Sequence, residues 1–555
     1  MGQEQIVTVG IIIVLVIAGI FIIASERRSR MRRVRRRMRE RYGEMPELKE
    51  RNYEHIMVHW NEIREQIPDD EQVDDITWND LEMDKVFERI SNGNSFIGEQ
   101  ILYSRLHQLP RDRELLAAFE QKVAWMDSHE DERVDIEFAL WKMGKHEVNY
   151  YAPMFFNNIN DQKIDNIWLY RILQGSLFLL IILAVILRGP FIAAALVNFL
   201  INIMLYAAMK ARYELQLVSV AVIAGVIKFS SRLRKNGSCP AALMSEPVKQ
   251  GLKALEPIAG KAVLLQQKKQ SVNSGDAFGI LQDYLIGATL WDFIQYDKII
   301  RGLSKYEQEF HAVYTFAGEI DMAITVGSFR RSTPGFCIPE FAAGKQLVME
   351  AVYHPLVKDP VKNSLHMGRN LILTGSNASG KSTFIKAAAV NTILAGSIHT
   401  CLADRMVIPD ARVITSMSMR DDVVGGESYF ITEIKYLKRI VEASSGGRMV
   451  ICMIDEILRG TNTRERIAAS EAVLKYLNQK NCLVMVATHD LELTKKFEEQ
   501  CDLYHFSEKL GEQDISFDYR IKDGVSRTSN AIDLLEFVDF PAAVVAEARQ
   551  LSARE

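Results

Sequence analysis

Cysteine is scarce, six residues in 555. Cys239, Cys337, Cys401, Cys452, Cys482 and Cys501 make no C-x-x-C pair and no Cys/His spacing of a metal site. That excludes a zinc ribbon or a thioredoxin-type redox centre and reads instead as reduced thiols, with Cys452 and Cys482 in apolar strands of a core. No Ser–His–Asp constellation and no internal repeat is visible. Basic residues are missing from Gly2-Gln3-Glu4-Gln5, ahead of the first apolar run, whereas a cleaved secretion signal carries them there. Disorder is excluded by composition: 48% of residues are hydrophobic and 25% charged.

What is present begins with long apolar runs. Val7 to Ala24 carries no charge and is long enough to cross a bilayer. Ten arginines follow within residues 27–41 (Arg27, Arg28, Arg30, Arg32, Arg33, Arg35, Arg36, Arg37, Arg39 and Arg41). The positive-inside rule places this cluster in the cytoplasm and the N-terminus outside. Arginines abutting a span act first as a topology anchor and a contact for anionic lipid, and only second as a nucleic-acid arm. A second apolar region, Ile167 to Met209, is broken at Arg188-Gly189-Pro190. Two helices around so short a break form a membrane hairpin, with Lys210 and Arg212 on the cytoplasmic return flank. Leu215 to Ile227 is shorter and reads as a core or interfacial helix. The expectation is a multi-pass protein of the cell (inner or plasma) membrane with three spans and a cytoplasmic C-terminal half. No charge lies inside the spans Val7–Ala24, Ile172–Leu187 or Phe191–Met209, and three spans cannot line a pathway without extensive oligomerisation, which argues against a transporter.

The whole chain carries a formal charge of −4. Residues 27–41, with ten arginines and Glu40, contribute +9, so the remainder carries −13. An acidic body counts against broad, non-specific DNA binding. Lys261, Lys268 and Lys269, or Arg330 and Arg331, could form a local basic patch, against which stands the reading of each as a solvated helix or loop face.

The chemistry is concentrated near the C-terminus. Gly375-Ser376-Asn377-Ala378-Ser379-Gly380-Lys381-Ser382 fits G-x-x-x-x-G-K-[ST] at every fixed position. An apolar strand, Asn370 to Thr374, precedes it, and a helix from Thr383 to Leu394 follows. Glycines let backbone N–H groups curl around phosphate oxygens, Lys381 supplies charge at the β/γ-phosphates, and the Ser382 hydroxyl can ligate Mg²⁺. Arg448 to Ile454 is a buried strand ending in Asp455-Glu456, the arrangement that delivers a carboxylate to a metal at a strand tip. Asp455 then acts on Mg²⁺, and Glu456 orients or deprotonates the attacking water. A third strand, Cys482 to Ala487, ends in Thr488-His489-Asp490, with His489 where it can sense a γ-phosphate. These residues point to ATP and Mg²⁺. Lys381, Glu456 and His489 are the catalytic candidates; Gly375 through Ser382 and Thr383 are the phosphate cradle; Ser382 and Asp455 are the metal ligands.

Further motifs surround this site: Tyr353-His354-Pro355, Gly425-Gly426-Glu427-Ser428-Tyr429-Phe430, and Asp455-Glu456-Ile457-Leu458-Arg459-Gly460-Thr461-Asn462-Thr463. From about Leu347 to the C-terminus their order and spacing resemble the ATPase domain of the MutS family, a branch of the ABC-type ATPases. The chain departs from the family pattern at Ser376-Asn377-Ala378-Ser379, where Pro-Asn-Met-Gly is usual, and at Leu458, where Gly is usual. More weakly, Glu88 to Pro110 and Leu285 to Phe329 resemble the helical core and lever. The resemblance implies a homodimer with two nucleotides between facing ATPase domains, Ser428 reaching the partner's γ-phosphate, and the Arg459–Thr463 loop along the same seam.

The expected fold is an α/β P-loop (ABC-type) ATPase domain at the C-terminus, preceded by an all-α core/lever domain interrupted by a transmembrane hairpin, with one N-terminal transmembrane helix. The expected layout is an anchor at 1–26, an Arg-rich juxtamembrane segment and linker at 27–74, and the first core part at 75–166. The hairpin at 167–210, the second core and lever part at 211–340 and the ATPase at 341–555 follow. Two outputs compete: a membrane-anchored MutS-like ATPase acting on mismatched or branched DNA, and a membrane-tethered mechanical or signalling ATPase that does not bind DNA. Residues 1–75 leave no room for a mismatch-reading module, which favours the second.

Overall fold

The computed structural model describes residues 3–552 except 48–49, 237–242, 273–283, 286, 377–378, 418–428, 459, 511–514 and 526–539. The chain forms two compact units that interleave along the sequence. One comprises residues 1–65, 92–103 and 121–328; the other comprises 66–91, 104–120 and 329–555.

The first unit is helical. Its opening helix, Gln3–Arg41, carries both the apolar run and the arginine cluster without interruption. Residues 44–65 are more than the expected linker. Short helices at Tyr53–Ile56 and Val58–Ile63 bury Ile56, His59 and Trp60, because these apolar and aromatic residues recur at helical spacing. Helix Ile167–Leu187 ends at Arg188 and Gly189, both at positive φ (55° and 62°), and Pro190 opens the next helix. That next helix does not stop near Met209 as expected. It runs unbroken from Pro190 to Asn236, and the Leu215–Ile227 run is its continuation. Nothing between 210 and 236 obliges a helix to end: there is no proline, and the single Gly225 costs only ~1 kcal/mol.

The two halves of this long helix differ in burial. Only 11% of the apolar window in Pro190–Lys210, and 11% of that in Ile159–Leu187, is buried, against 56% in Gln216–Lys235. Ile182, Val185, Ile186, Leu196, Leu200 and Met204 are all exposed. The amide nitrogens of the hairpin are paired: Asn198 Nδ2 donates to Ser176 Oγ (2.6 Å), Asn202 Nδ2 to the Ala288 carbonyl (2.8 Å) and Gln174 Nε2 to the Thr289 carbonyl (2.8 Å), while Asn198 Oδ1 and Asn202 Oδ1 are buried without a partner among the described residues. Val220, Ile223, Ile227 and Phe229 lie in the core, as a core helix requires. Elsewhere in this unit Asp321, fully buried, accepts from the Asn94 and Ser95 N–H groups (3.2 and 2.9 Å) and from Ser95 Oγ (2.5 Å). It thereby satisfies donors at the start of helix Phe96–Leu106.

The second unit is α/β. Its strands are β1 (Glu340–Ala342), β2 (Leu347–Val352), β3 (Asn363–Met367), β4 (Leu371–Thr374), β5 (Arg405–Pro409), β6 (Ala411–Ser416), β7 (Met449–Asp455), β8 (Cys482–Ala487), β9 (Asp502–His505), β10 (Glu508–Leu510), β11 (Ile515–Phe517) and β12 (Lys522–Asp523). Six form a sheet in the order β12-β9-β4-β8-β7-β6, parallel except for β12. A second sheet runs β1-β5-β2-β3, and β10 and β11 pair alone. Every residue of β4, β7 and β8 is buried, as a parallel sheet covered on both faces demands. Helices Tyr429–Ser444, Thr463–Asn478 and Leu491–Phe497 pack on it through Leu437, Ile440, Leu474, Leu477, Leu493 and Phe497.

At the far end of helix Lys381–Ile398, buried Arg330 donates two hydrogen bonds to the Glu120 carboxylate (2.8 and 2.7 Å) and one each to Thr400 Oγ1 (3.0 Å) and the His399 carbonyl (2.9 Å). Burial pushes the Glu120 carboxyl up, but hydrogen bonds from Arg330 and His399 outweigh it and hold the group at about 2. A folded-state value below the ordinary one gives stability that is present above that ordinary value and lost as pH falls toward 2. Glu120→Gln should therefore cost about 3 kcal/mol near neutral pH, because Arg330 is left buried without a countercharge. The gap to wild type should narrow as pH is lowered from 5 toward 2, measured by thermal melting across a pH series. A gap independent of pH would show that the ion pair is not the stabilising contact.

Candidate nucleotide site

Register sets the site. In the six-stranded sheet Asp455 lies opposite Ala487, and Ala487 lies opposite Leu373, so the C-terminal tips of β7, β8 and β4 align at one edge. The chain continues that alignment past the strands: the Glu456 N–H donates to the Ala487 carbonyl (3.0 Å), the Thr488 N–H to the Leu373 carbonyl (3.0 Å) and the Phe506 N–H to the Thr374 carbonyl (2.9 Å). Residues far apart in sequence, 375–382, 455–456 and 488–489, thus share one rim.

Gly375 and Gly380 hold φ of 142° and 108°, a region that L side chains rarely enter. At Gly375 a Cβ would also sit 2.6 Å from the Phe506 carbonyl oxygen. Ser379 Oγ closes the loop on the Ser376 carbonyl (2.8 Å). Helix Lys381–Ile398 starts directly after the loop, aiming its unpaired N–H groups at the rim. Lys381 is buried, and its ammonium donates to the Gly375 and Ser376 carbonyls (both 2.6 Å). Ser382 and Thr383 are exposed. The Ser382 hydroxyl donates to Asp455 Oδ2 (2.6 Å), joining the two expected metal ligands. His489 Nε2 lies 2.8 Å from Glu456 Oε1. Of the expected residues, Gly375, Ser376, Ser379, Gly380, Lys381, Ser382, Thr383, Asp455, Glu456 and His489 therefore meet at this edge. Asn377, Ala378, Ser428 and Arg459 lie outside the described residues.

The stretch after the acid pair is held in an unusual backbone. Glu456 and Leu458 have φ of 68° and 55°. Leu458 stands in a conformation that suits glycine, and its side chain is buried in the core beside the sheet. Burial of a leucine is worth ~2 kcal/mol, comparable to the 1–2 kcal/mol cost of the left-handed backbone. Beyond it, Asn462 accepts from the Glu465 N–H (3.0 Å) and caps helix Thr463–Asn478. Arg466 grips Asp490 with two bonds (2.9 and 2.7 Å), tying that helix to the segment carrying His489.

A cavity of about 330 Å³ adjoins the glycine loop, lined by Tyr353, His354, Val361, Phe384, Phe506 and Tyr519 and reaching Gly380 and Thr383. His354 Nδ1 accepts from the Leu356 N–H (3.3 Å), while its buried Nε2 has no hydrogen-bond partner among the described residues. Burial, with the Lys386 ammonium nearby, pushes the imidazole down to about 4, so it is neutral and Nε2 carries a hydrogen to donate. The sequence pointed to Tyr353-His354 as a motif but gave it no task. Val361, Phe506 and Tyr519 were missed, because they come from separate segments with no local pattern.

The donor set suits Mg²⁺, a hard cation that takes oxygen ligands: a hydroxyl and a carboxylate already stand within hydrogen-bond distance at an open rim. No cluster of three or more His, Cys, Asp or Glu with metal-site geometry occurs among the described residues.

Comparison with known proteins agrees with this geometry. Residues 371–554 match the family model of MutS domain V. The chain is 30% identical over 267 residues to the DNA mismatch repair protein MutS of Pseudothermotoga lettingae, covering 46% of this chain and 33% of that protein. It is 33% identical over 184 residues to that of Natronomonas pharaonis (32% of this chain, 21% of that protein). It is 30% identical over 249 residues to that of Aquifex pyrophilus (43% and 29%). The chain thus spans between a fifth and a third of the length of these relatives. It is through this C-terminal segment, residues 371–554, that the chain is similar to the MutS family.

Proposed function

We propose that this protein is a membrane-anchored MutS-like ATPase that binds and hydrolyses ATP where two ATPase domains face each other. The single observation that carries the proposal is the rim shared by Lys381, Ser382, Asp455, Glu456 and His489 beside a base-sized cavity. Backbone N–H groups of the Gly375–Gly380 loop and the start of the following helix would hold the phosphates. Lys381 would exchange its two loop carbonyls for phosphate oxygens. Ser382 and Asp455 would hold Mg²⁺, which when bound offsets charge on the phosphates. Glu456, steadied by His489, would hold the attacking water and accept its proton. Tyr353, Phe506 and Tyr519 offer faces for a purine, and His354 Nε2–H a donor to one of its acceptors. Ser428 of the partner subunit would complete the site.

The membrane part of the proposal rests on the exposed apolar faces of the Ile167–Leu187 and Pro190–Lys210 helices and on the apolar run that precedes the arginines. The hairpin, the N-terminal helix and the positive-inside rule together support a cytoplasmic ATPase. For the output, the relatives named as DNA mismatch repair proteins favour action on mismatched or branched DNA. A second reading, a mechanical or signalling ATPase without DNA contact, is favoured by the −13 charge outside the arginine cluster.

Lys381→Ala and Glu456→Gln should each lower kcat by roughly 100-fold or more in detergent-solubilised protein. Glu456→Gln should keep nucleotide affinity and accumulate as an ATP-bound dimer, read by size-exclusion chromatography with light scattering. Wild-type turnover in either variant would overturn the site. Electrophoretic titration with homoduplex, mismatched and branched DNA across a salt series separates the two outputs: a preference for mismatched or branched DNA that survives physiological salt selects the first, and its absence selects the second.

A further inference from the structure

A second cavity lies in the helical unit, far in sequence from the nucleotide site. It measures about 240 Å³ and opens to solvent between three helices: Gln3–Arg41, Glu130–Met143 and Pro190–Asn236. Each helix contributes one exposed cation to its rim, Arg35, Lys142 and Arg232. Its floor is apolar, built from buried Phe138, Phe229 and Leu233. Arg35 is the only one of the three cations with a carboxylate, Asp135 at 2.9 Å. Among the described residues, Lys142 and Arg232 have no ion pair. Lys142 leans on the Phe138 ring instead, 4.3 Å from its centroid, with the Arg35 guanidinium 4.8 Å from the same centroid. Desolvation, then repulsion from Arg232, Arg35 and Arg27, lowers the Lys142 pKa, and no carboxylate enters among its causes.

Three like charges gathered around one concavity, two of them without partners, are unfavourable unless an anion joins them. We infer that this cavity is a binding site for a phosphate group, held by Lys142 and Arg232 with Arg35 at the edge, and that the apolar floor receives the non-polar part of the same ligand. Phosphate suits the site because guanidinium and ammonium donors converge from separate helices, giving both directed hydrogen bonds and charge. Two sources share that chemistry, an anionic phospholipid headgroup and a soluble phosphate ester. On the membrane reading above, Arg35 stands eleven residues beyond Ala24 on the same helix, ~16 Å along its axis, below the hydrocarbon. The site itself does not depend on that reading, nor on the nucleotide site, since all its residues belong to the helical unit.

The test uses the full-length protein in neutral detergent. Native mass spectrometry compares retention of phosphatidylglycerol with that of phosphatidylcholine, and calorimetry measures inorganic phosphate and glycerol 3-phosphate. Arg232→Gln and Lys142→Gln should each weaken binding by about tenfold, whereas Lys228→Gln, an exposed cation on the same helix outside the cavity, should not. Unchanged thermal melting certifies each variant, and either of the two suffices if the other fails to fold. Preferential retention of phosphatidylglycerol alone identifies a headgroup; binding of the soluble phosphates as well identifies the phosphate itself. No binding of any of these probes, or equal weakening by Lys228→Gln, overturns the assignment. ATP hydrolysis is not the readout, so failure of the ATPase proposal would leave this result interpretable.

Discussion

Pairing of β7 with β8 and of β8 with β4 governs the α/β unit. Parallel strands cannot be joined by a tight turn, so each is connected by a helix, and the polar loops that follow all three emerge at the same edge. A slip of one residue in any of the three would reverse which face its side chains meet and move its tip out of line. All residues of these strands are buried, so such a slip would disturb packing on both faces. Hydrophobic burial in β4, β7 and β8 is thus what brings a lysine, a serine, two acids and a histidine within reach of one another.

Polar satisfaction at that edge is tight. The ammonium of Lys381 is occupied by its own loop, Ser382 by Asp455 and Glu456 by His489. Each of these is a charge-assisted contact, the kind that is strong when partly desolvated. A phosphate ligand entering here replaces existing partners instead of filling unmet needs, which keeps the unliganded site intact without leaving buried charge exposed to cost. His354 is the contrast. Its Nε2 is buried and unmatched, and an unsatisfied buried donor costs ~1–3 kcal/mol.

Much of the strand–loop–helix at 370–394 was legible because its signals are local: an apolar run, glycines where φ must be positive, then a helix. The Asp455-Glu456 pair was readable for the same reason, an apolar strand that stops at two acids. Features assembled from distant segments were not readable. The cavity lined by Val361, Phe506 and Tyr519 has no pattern in the chain, and Arg330, which sequence reading took for a solvated face, is buried and paired with the distant Glu120. The expected end of the second hairpin helix near Met209 failed for a different reason. Lys210 and Arg212 looked like a flank, but flanking charges mark a change of surroundings, not an end to helical hydrogen bonding.

The helix from Pro190 to Asn236 has a mechanical corollary. At 47 residues it is a rod of ~70 Å, with one half packed largely in the core and the other presenting exposed apolar side chains. Bending it sharply would break main-chain hydrogen bonds, and no proline is placed to ease a kink beyond its first residue. A few degrees of tilt imposed on the buried end by its neighbours must therefore reappear as a sideways excursion of several ångströms at the tip of the hairpin, amplified by nothing more than the length of the rod.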